Sequence, residues 1–287
     1  MNGPEQNGVV PVVPGRLYTK VRAVRSKIRP LQPEGAHRRK NYIRFQSSFC
    51  NCQLIGEIAI MLEKEIRKVF SAHPEILYGF TDISYCSYKE FYRSALVFAV
   101  PYGEQLSPDN YTEERFEQGI QTARGRLETV VAEVEQILQN HQVKYWIPPV
   151  AQENEKELCA LFSFKTAAAW AGIGWFGKND VIITERYGPR VRLSAILIDE
   201  MFAYGQPITV GRCPDNCTKC IDICPCKALK NRQWTIEKDR SEIIDYQKCN
   251  RMRSAFIKKL GRKNACGLCL AACPFGRPEQ KSTTGNG

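Results

Sequence analysis

Cys213-Pro-Asp-Asn-Cys217-Thr-Lys-Cys220-Ile-Asp-Ile-Cys224-Pro225-Cys226, followed further on by Cys266-Gly-Leu-Cys269-Leu-Ala-Ala-Cys273-Pro274, is the stretch whose reading decides the fold. With Cys249 between the two runs, it holds nine of the thirteen cysteines of the 287-residue chain. Both runs close on Cys-x3-Cys-Pro, and the pattern repeats without any other internal repeat in the sequence. Thiols at such spacings serve as metal ligands, so the stretch predicts a metal-organised module.

Bacterial two-cluster ferredoxins carry Cys-x2-Cys-x2-Cys-x3-Cys-Pro, in which three thiolates bind one cluster and the fourth, beside proline, binds the other. By that logic Cys213, Cys217, Cys220 and Cys273 hold one [4Fe–4S] cluster, and Cys224, Cys249, Cys266 and Cys269 hold a second. Two departures bear on this. The first gap has three residues where the ferredoxin run has two, which makes Cys213 the least secure ligand, with Cys226 as its substitute. Cys217-x2-Cys220 and Cys266-x2-Cys269 also have zinc-knuckle spacing, but zinc does not explain two Cys-Pro endings. Disulfides are a third reading, and nothing at the N-terminus resembles a secretory signal, so reduced thiols in a cytoplasm are expected.

Composition is that of a water-soluble globular protein, 43% hydrophobic and 25% charged, with no apolar run near the ~20 residues that span a bilayer. The net charge of +11 is unevenly placed: residues 1–40 carry nine Lys or Arg against two Glu, with five prolines and four glycines. Such a segment buries too little apolar surface to offset its ordering entropy, so residues 1–45 are expected to be a disordered basic tail. A second basic cluster, Lys248, Arg251, Arg253, Lys258, Lys259, Arg262 and Lys263, sits among the cysteines, where it can offset cluster charge or face a polyanion.

Ahead of the cysteines the sequence alternates helix and strand. Ile55, Ile58, Leu62, Ile66, Val69 and Phe70 give an amphipathic helix over Gln53–Phe70, and Phe116 to Leu138 repeat the period after an apparent capping box at Asn110-Tyr-Thr-Glu113. Ile76–Ile83 and Ser94–Tyr102 read as strands, the second apolar enough to be buried on both faces. Tyr145-Trp-Ile-Pro-Pro149 is extended. Glu153–Ala171 reads as an Ala-rich helix, Val181–Thr184 and Val191–Ile198 as strands, and Ser254–Leu260 as a short helix.

Gly172-Ile-Gly174-Trp-Phe-Gly177-Lys178-Asn179 matches a dinucleotide fingerprint in letters and a phosphate loop in all but its last position. Both need strand, loop, helix in that order, and here a helix precedes and a strand follows. A helix C-cap explains one glycine. The others would let a large flat ligand approach the backbone. His37, His73 and His141 are scattered, and Cys50, Cys52, Cys86 and Cys159 show no paired pattern.

The run Ala171-Gly-Ile-Gly-Trp-Phe-Gly-Lys178, the strand pair after it, the Pro-Tyr ending at Tyr102 and the split cysteine pattern together resemble the epoxyqueuosine reductase family, related more distantly to reductive dehalogenases. The resemblance covers residues 53–275. It implies an α/β (α+β) chain: a nitroreductase-like cobalamin-binding domain over residues 46–206, then a ferredoxin-like double [4Fe–4S] domain over residues 207–287. It implies two [4Fe–4S] clusters, cobalamin bound base-off without a histidine ligand, an electron donor of ferredoxin or flavodoxin type, and tRNA queuosine as substrate. Gly172, Gly174, Trp175, Phe176, Gly177 and Lys178 are then expected against the corrinoid.

The family's general-acid Asp position falls on Leu158, flanked by Glu157. Proton donation is therefore assigned to Lys165, Glu157 or Tyr102, with Lys165 first because a Lys just ahead of a glycine loop in an Ala-rich helix is expected to be partly desolvated and to lose its proton more easily; Ser163-Phe-Lys165-Thr166 also resembles shorter relatives. The alternative function is a ferredoxin-like electron carrier docking a partner enzyme, and a zinc-stabilised nucleic-acid-binding protein stands third.

Overall fold

The computed structural model describes residues 50–103, 106–149, 160–255 and 266–277. The expected disordered tail over residues 1–45 lies outside them. The first long element, α1 (Cys50–Ala72), places Leu62, Ile66 and Phe70 on one face at spacings of four, as the periodicity predicts. Strands β1 (Leu77–Asp82) and β2 (Ser94–Pro101) follow, then the longest helix, α2 (Glu113–Asn140). Thr112, not Asn110, caps α2: the Thr112 hydroxyl accepts from the Arg115 amide, while Asn110 Oδ1 accepts from the Ser107 amide one turn earlier.

Strands β3 (Tyr145–Trp146) and β6 (Val191–Ile198) complete a four-stranded antiparallel sheet in the order β1-β2-β6-β3. All eight residues of β2 are buried, as its unbroken apolar run requires. The alternation of strand side chains then divides the core in two. Leu96, Phe98 and Val100 join Leu62, Ile66 and Phe70 of α1 and Phe116, Ile120, Leu127, Val130 and Val134 of α2. Ala95 and Val97, with Ala195 and Leu197 of β6, meet Ala167, Ala168 and Ala169 of helix α3 (Phe164–Trp170) on the other face. Small side chains on both partners let α3 lie close over the sheet, and each large apolar side chain buried beneath α1 and α2 contributes about 1.5–3 kcal/mol.

The Ala-rich helix is shorter than its composition suggests. It begins at Ser163, whose hydroxyl accepts from the Thr166 amide, so residues 160–163 are not helical, and residues 150–159 lie outside the described residues. It ends at Gly172, φ +73°, where the Gly172 and Ile173 amides donate to the carbonyls of Ala169 and Ala168 in a Schellman closure. The short strands β4 (Trp175–Phe176) and β5 (Ile182–Ile183) then form a separate two-stranded hairpin.

Among the described residues beyond 207 the helices are short: α4 (Lys219–Asp222), α5 (Arg240–Ile243), α6 (Tyr246–Ser254) and α7 (Leu268–Ala271). The helix between Cys249 and Cys266 is α6, which itself carries Cys249; all but the first two residues of the expected Ser254–Leu260 helix lie outside the described residues. Helices α4 and α7, one from each cysteine run, pack against one another. Little apolar surface is available here to hold four short helices, which fits a module whose order comes from metal ligation. No described helix is long and apolar enough to cross a membrane.

Candidate metal centres and the adjoining cavity

Cys213, Cys217 and Cys220 of the first run enclose a small gap together with Cys273 of the second, and the gap is closed by Lys178, Asn179, Ile183, Pro274 and Phe275. Burial and the neighbouring Cys273, Cys213 and Cys217 push the Cys220 thiol up to about 12, and burial pushes Cys273 up to about 11. Thiols this dry stay neutral unless a cation lies among them, which is the condition metal binding supplies, although among the described residues no three His, Cys, Asp or Glu side chains are drawn together tightly enough to hold a metal ion. The indole N–H of Trp175 has no oxygen acceptor and lies by the Cys213 sulfur, where it works against the burial that raises that thiol.

Cys224, Cys249, Cys266 and Cys269 line a larger cavity of about 900 Å3. Burial raises Cys249 to about 11 and lifts Cys269 well above the ordinary thiol value, with Cys266, Cys249, Cys220 and Cys224 adding to the effect on Cys269. Cys226 lines this second site, with its sulfur 3.8 Å from that of Cys224. Cys213, for which Cys226 was the expected substitute, packs instead against the cluster of Trp175, Ile183 and Cys273 at the first site. Asn179 lies in the wall of both sites; its amide donates to the Cys269 carbonyl at 3.4 Å, and its Oδ1 is buried without a partner.

Two buried cations fasten these sites to the sheet domain. Lys178, 4% exposed, donates to the carbonyls of Pro214, Asp215 and Cys217 at 3.1, 2.9 and 3.2 Å. Arg190, just ahead of β6, donates to the carbonyls of Leu270 and Cys273 at 3.2 and 3.0 Å and also to that of Phe275. Burial lowers the Arg190 pKa, with Cys273 acting in the opposite sense. A side chain that satisfies several loop carbonyls at once fixes the loop's path, because each buried carbonyl would otherwise lose its hydrogen bond to water.

The loop expected against a flat cofactor has a different role. Gly172, Gly174, Trp175, Phe176, Gly177 and Lys178 do not line the larger cavity. Trp175 is 2% exposed and packs edge-on to Phe275 beside Cys273, and Phe176 stacks on Trp234. A Cβ at Gly174 would lie 2.4 Å from the Ile183 carbonyl oxygen, and one at Gly177 2.3 Å from the Ile183 side chain. The extra glycines thus serve the tight β4–β5 hairpin. Their excess over one C-cap comes from strand packing against a bulky Ile, which letter spacing does not show.

Of the proton-donor candidates, Lys165 lines the cavity; Tyr102 does not, and Glu157 lies outside the described residues. Tyr102 is buried in the core edge-on to Phe116, and burial raises its pKa. Lys165 donates to Asp180, at 2.9 Å to Oδ2 and 2.6 Å to the backbone carbonyl, over the Phe176 ring. Arg240 Nε reaches the same Oδ2 at 2.9 Å. Although 29% of the Lys165 side chain stays exposed, burial lowers its pKa; Asp180 opposes that effect and Arg240 and Arg253 add to it. Asp180 was missed from sequence. Its only local signal is its place in the tight turn after Asn179, where Asp tolerates the observed φ of +58°.

No family model matches the chain. Over 105 residues, 36% of its length, it is 36% identical to the epoxyqueuosine reductase of Bacillus anthracis, and over 117 residues, 39% of its length, 30% identical to that of Cellulophaga algicola. Over these segments the chain is similar to the epoxyqueuosine reductases. It spans 27% and 37% of the length of those two relatives. Among solved structures, a reductive dehalogenase described in connection with B12-dependent dehalogenation aligns with a TM-score of 0.50 at 18% identity, covering 71% of this chain and 30% of that one. That likeness shows the fold: a mixed α/β sheet domain with the cysteine-bearing segment after it.

Proposed function

We propose that the protein is an iron–sulfur reductase of the epoxyqueuosine reductase type, holding two [4Fe–4S] clusters and a corrinoid and reductively removing an oxygen substituent from its substrate. The observation that carries this reading is the asymmetry of the two cysteine sites. One is a closed gap beneath the exposed segment Pro214–Asn216, and the other opens on a cavity of about 900 Å3. A carrier needs only the two sites; a cavity near the upper end of the size range of ligand pockets supports an enzyme.

The residues fit the groups the reading requires. The first site offers four thiols and no carboxylate, and the second offers five thiols, with Asp180, Asp239 and Asp245 elsewhere on the cavity wall. The cavity has apolar walls in Phe162, Phe164, Val181, Leu229 and Leu270, and these, in place of the Gly172–Lys178 loop, are the residues to hold a corrinoid. When bound, the clusters pass single electrons and the corrinoid supplies the reducing centre. The chain's own part is to hold and to protonate. Lys178 and Arg190 fix the two cysteine loops, the apolar walls exclude water, and Lys165 delivers the proton that a departing oxygen needs. Under this reading residues 46–206 form the substrate and corrinoid domain and residues 207–287 the electron-transfer domain. A ferredoxin or flavodoxin would donate electrons over Pro214–Asn216, and epoxyqueuosine-bearing tRNA is the substrate to assay first.

The test is anaerobic titration of the cluster-loaded protein with cobalamin, followed by incubation with an epoxyqueuosine-bearing tRNA stem loop and reduced flavodoxin. The reading expects one corrinoid bound per chain and a nucleoside that has lost its epoxide oxygen. Intact clusters with no corrinoid binding would move the protein to the electron-carrier class.

A further inference from the structure

Three carboxylates line the cavity, and two are committed to helix starts. Asp239 forms a capping box with Glu242 at α5, and Asp245 accepts from the Lys248 amide at the start of α6. The third, Asp180, is 5% exposed, sits in the β4–β5 turn and accepts at one oxygen from both Lys165 and Arg240. The charged groups facing Lys165 are thus Asp180 from that turn, Arg240 from α5 and Arg253 from α6, with the Phe176 ring beneath.

We infer that Asp180 is a positioning residue, which holds the Lys165 ammonium at the cavity wall and keeps it protonated against burial and two neighbouring guanidinium groups. The inference rests on the reading of Lys165 as proton donor and adds what makes that role workable. A buried lysine beside two arginines sheds its proton readily, and a donor that is already neutral has no proton to give. Among the described residues Asp180 contributes the opposing charge in contact with it, in a geometry fixed by two hydrogen bonds to the same residue: the ammonium meets both the Oδ2 and the carbonyl of Asp180. The backbone turns left-handed at this residue, at φ +58°, a conformation that most side chains avoid. Arg240 Nε reaches the same oxygen at 2.9 Å, so the carboxylate is held from two sides.

The test reads the charge of Lys165 directly and needs no turnover. Lysines of the cluster-loaded protein are reductively methylated with 13C-formaldehyde, the Lys165 resonance is assigned from its absence in Lys165→Arg, and its titration is followed by NMR. Asp180→Asn is expected to lower the Lys165 pKa by at least one unit, Asp180→Glu to restore most of it, and Arg240→Met to raise it. An unchanged Lys165 titration in Asp180→Asn overturns the inference. Should Asp180→Asn fail to fold, Arg240→Met decides, since a fall or no change in Lys165 there also overturns it. Turnover is measured separately: loss of activity in Lys165→Met with a normal titration in the wild type bears on the proton-donor reading alone, while normal activity in Lys165→Met removes that reading and leaves the charge coupling standing.

Discussion

Cys213 and Cys273, from opposite ends of the cysteine region, line one enclosed gap and pack against each other's surroundings, with Trp175 and Ile183 behind them. Under the proposed assignment each run takes its fourth ligand from the other side of the cysteine region. Removing one ligand should therefore damage the site of the opposite run. Cys224→Ala is expected to lose the second centre, with Cys249, Cys266 and Cys269 left incomplete, while about half of the iron remains at the first. Iron analysis with electron paramagnetic resonance of the reduced protein checks this. Loss centred on Cys213, Cys217 and Cys220 would show that the crossing is wrong.

Cys226 is the ninth thiol of the region and lies beside Cys224 on the same cavity wall, outside the proposed set of four. Cys226→Ser is expected to leave iron content and cluster absorption unchanged. A drop of half in iron would make it a ligand.

Lys178 satisfies three carbonyls of the first cysteine loop from a buried position. Lys178→Met keeps the volume and removes the donors, leaving these oxygens without their bonds at a cost of about 2–4 kcal/mol. Earlier iron loss on heating and a lower melting temperature are the readouts, and an unchanged melting temperature would contradict the role.

Lys165 carries the pH dependence. Its pKa in the fold lies below the ordinary lysine value because burial disfavours the charge. Between the two values the unfolded chain binds more protons than the folded one, so stability rises with pH across that window. Turnover that needs the protonated amine moves the other way and falls as pH climbs through the lowered pKa. Lys165→Met is expected to abolish the stability rise, which denaturant titrations at a series of alkaline pH values would measure.

Much of this was legible in the residues. The period of α2 and the unbroken run of β2 each follow from a local rule, and the structure reproduces them. What was not legible depends on residues that meet only after folding. Lys178 looked like part of a ligand loop because it follows three glycines, yet its partners are carbonyls some forty residues on. Arg190 sits in an ordinary Gly-Pro-Arg turn, and nothing near it announces the carbonyls of residues 270–275. Asp180 reads as a turn residue until Lys165 and Arg240 are brought to it. Trp175 was expected to face a cofactor, but the strand alternation of the β4–β5 hairpin turns it towards Cys273.

The central claim is two clusters built from crossed sets of four cysteines, and quantitative iron and sulfide analysis of the anaerobically reconstituted protein tests it most directly. The account predicts about eight irons and about eight sulfides per chain, with the broad visible absorption of [4Fe–4S] centres. One or two zinc ions per chain, without that absorption, would contradict it.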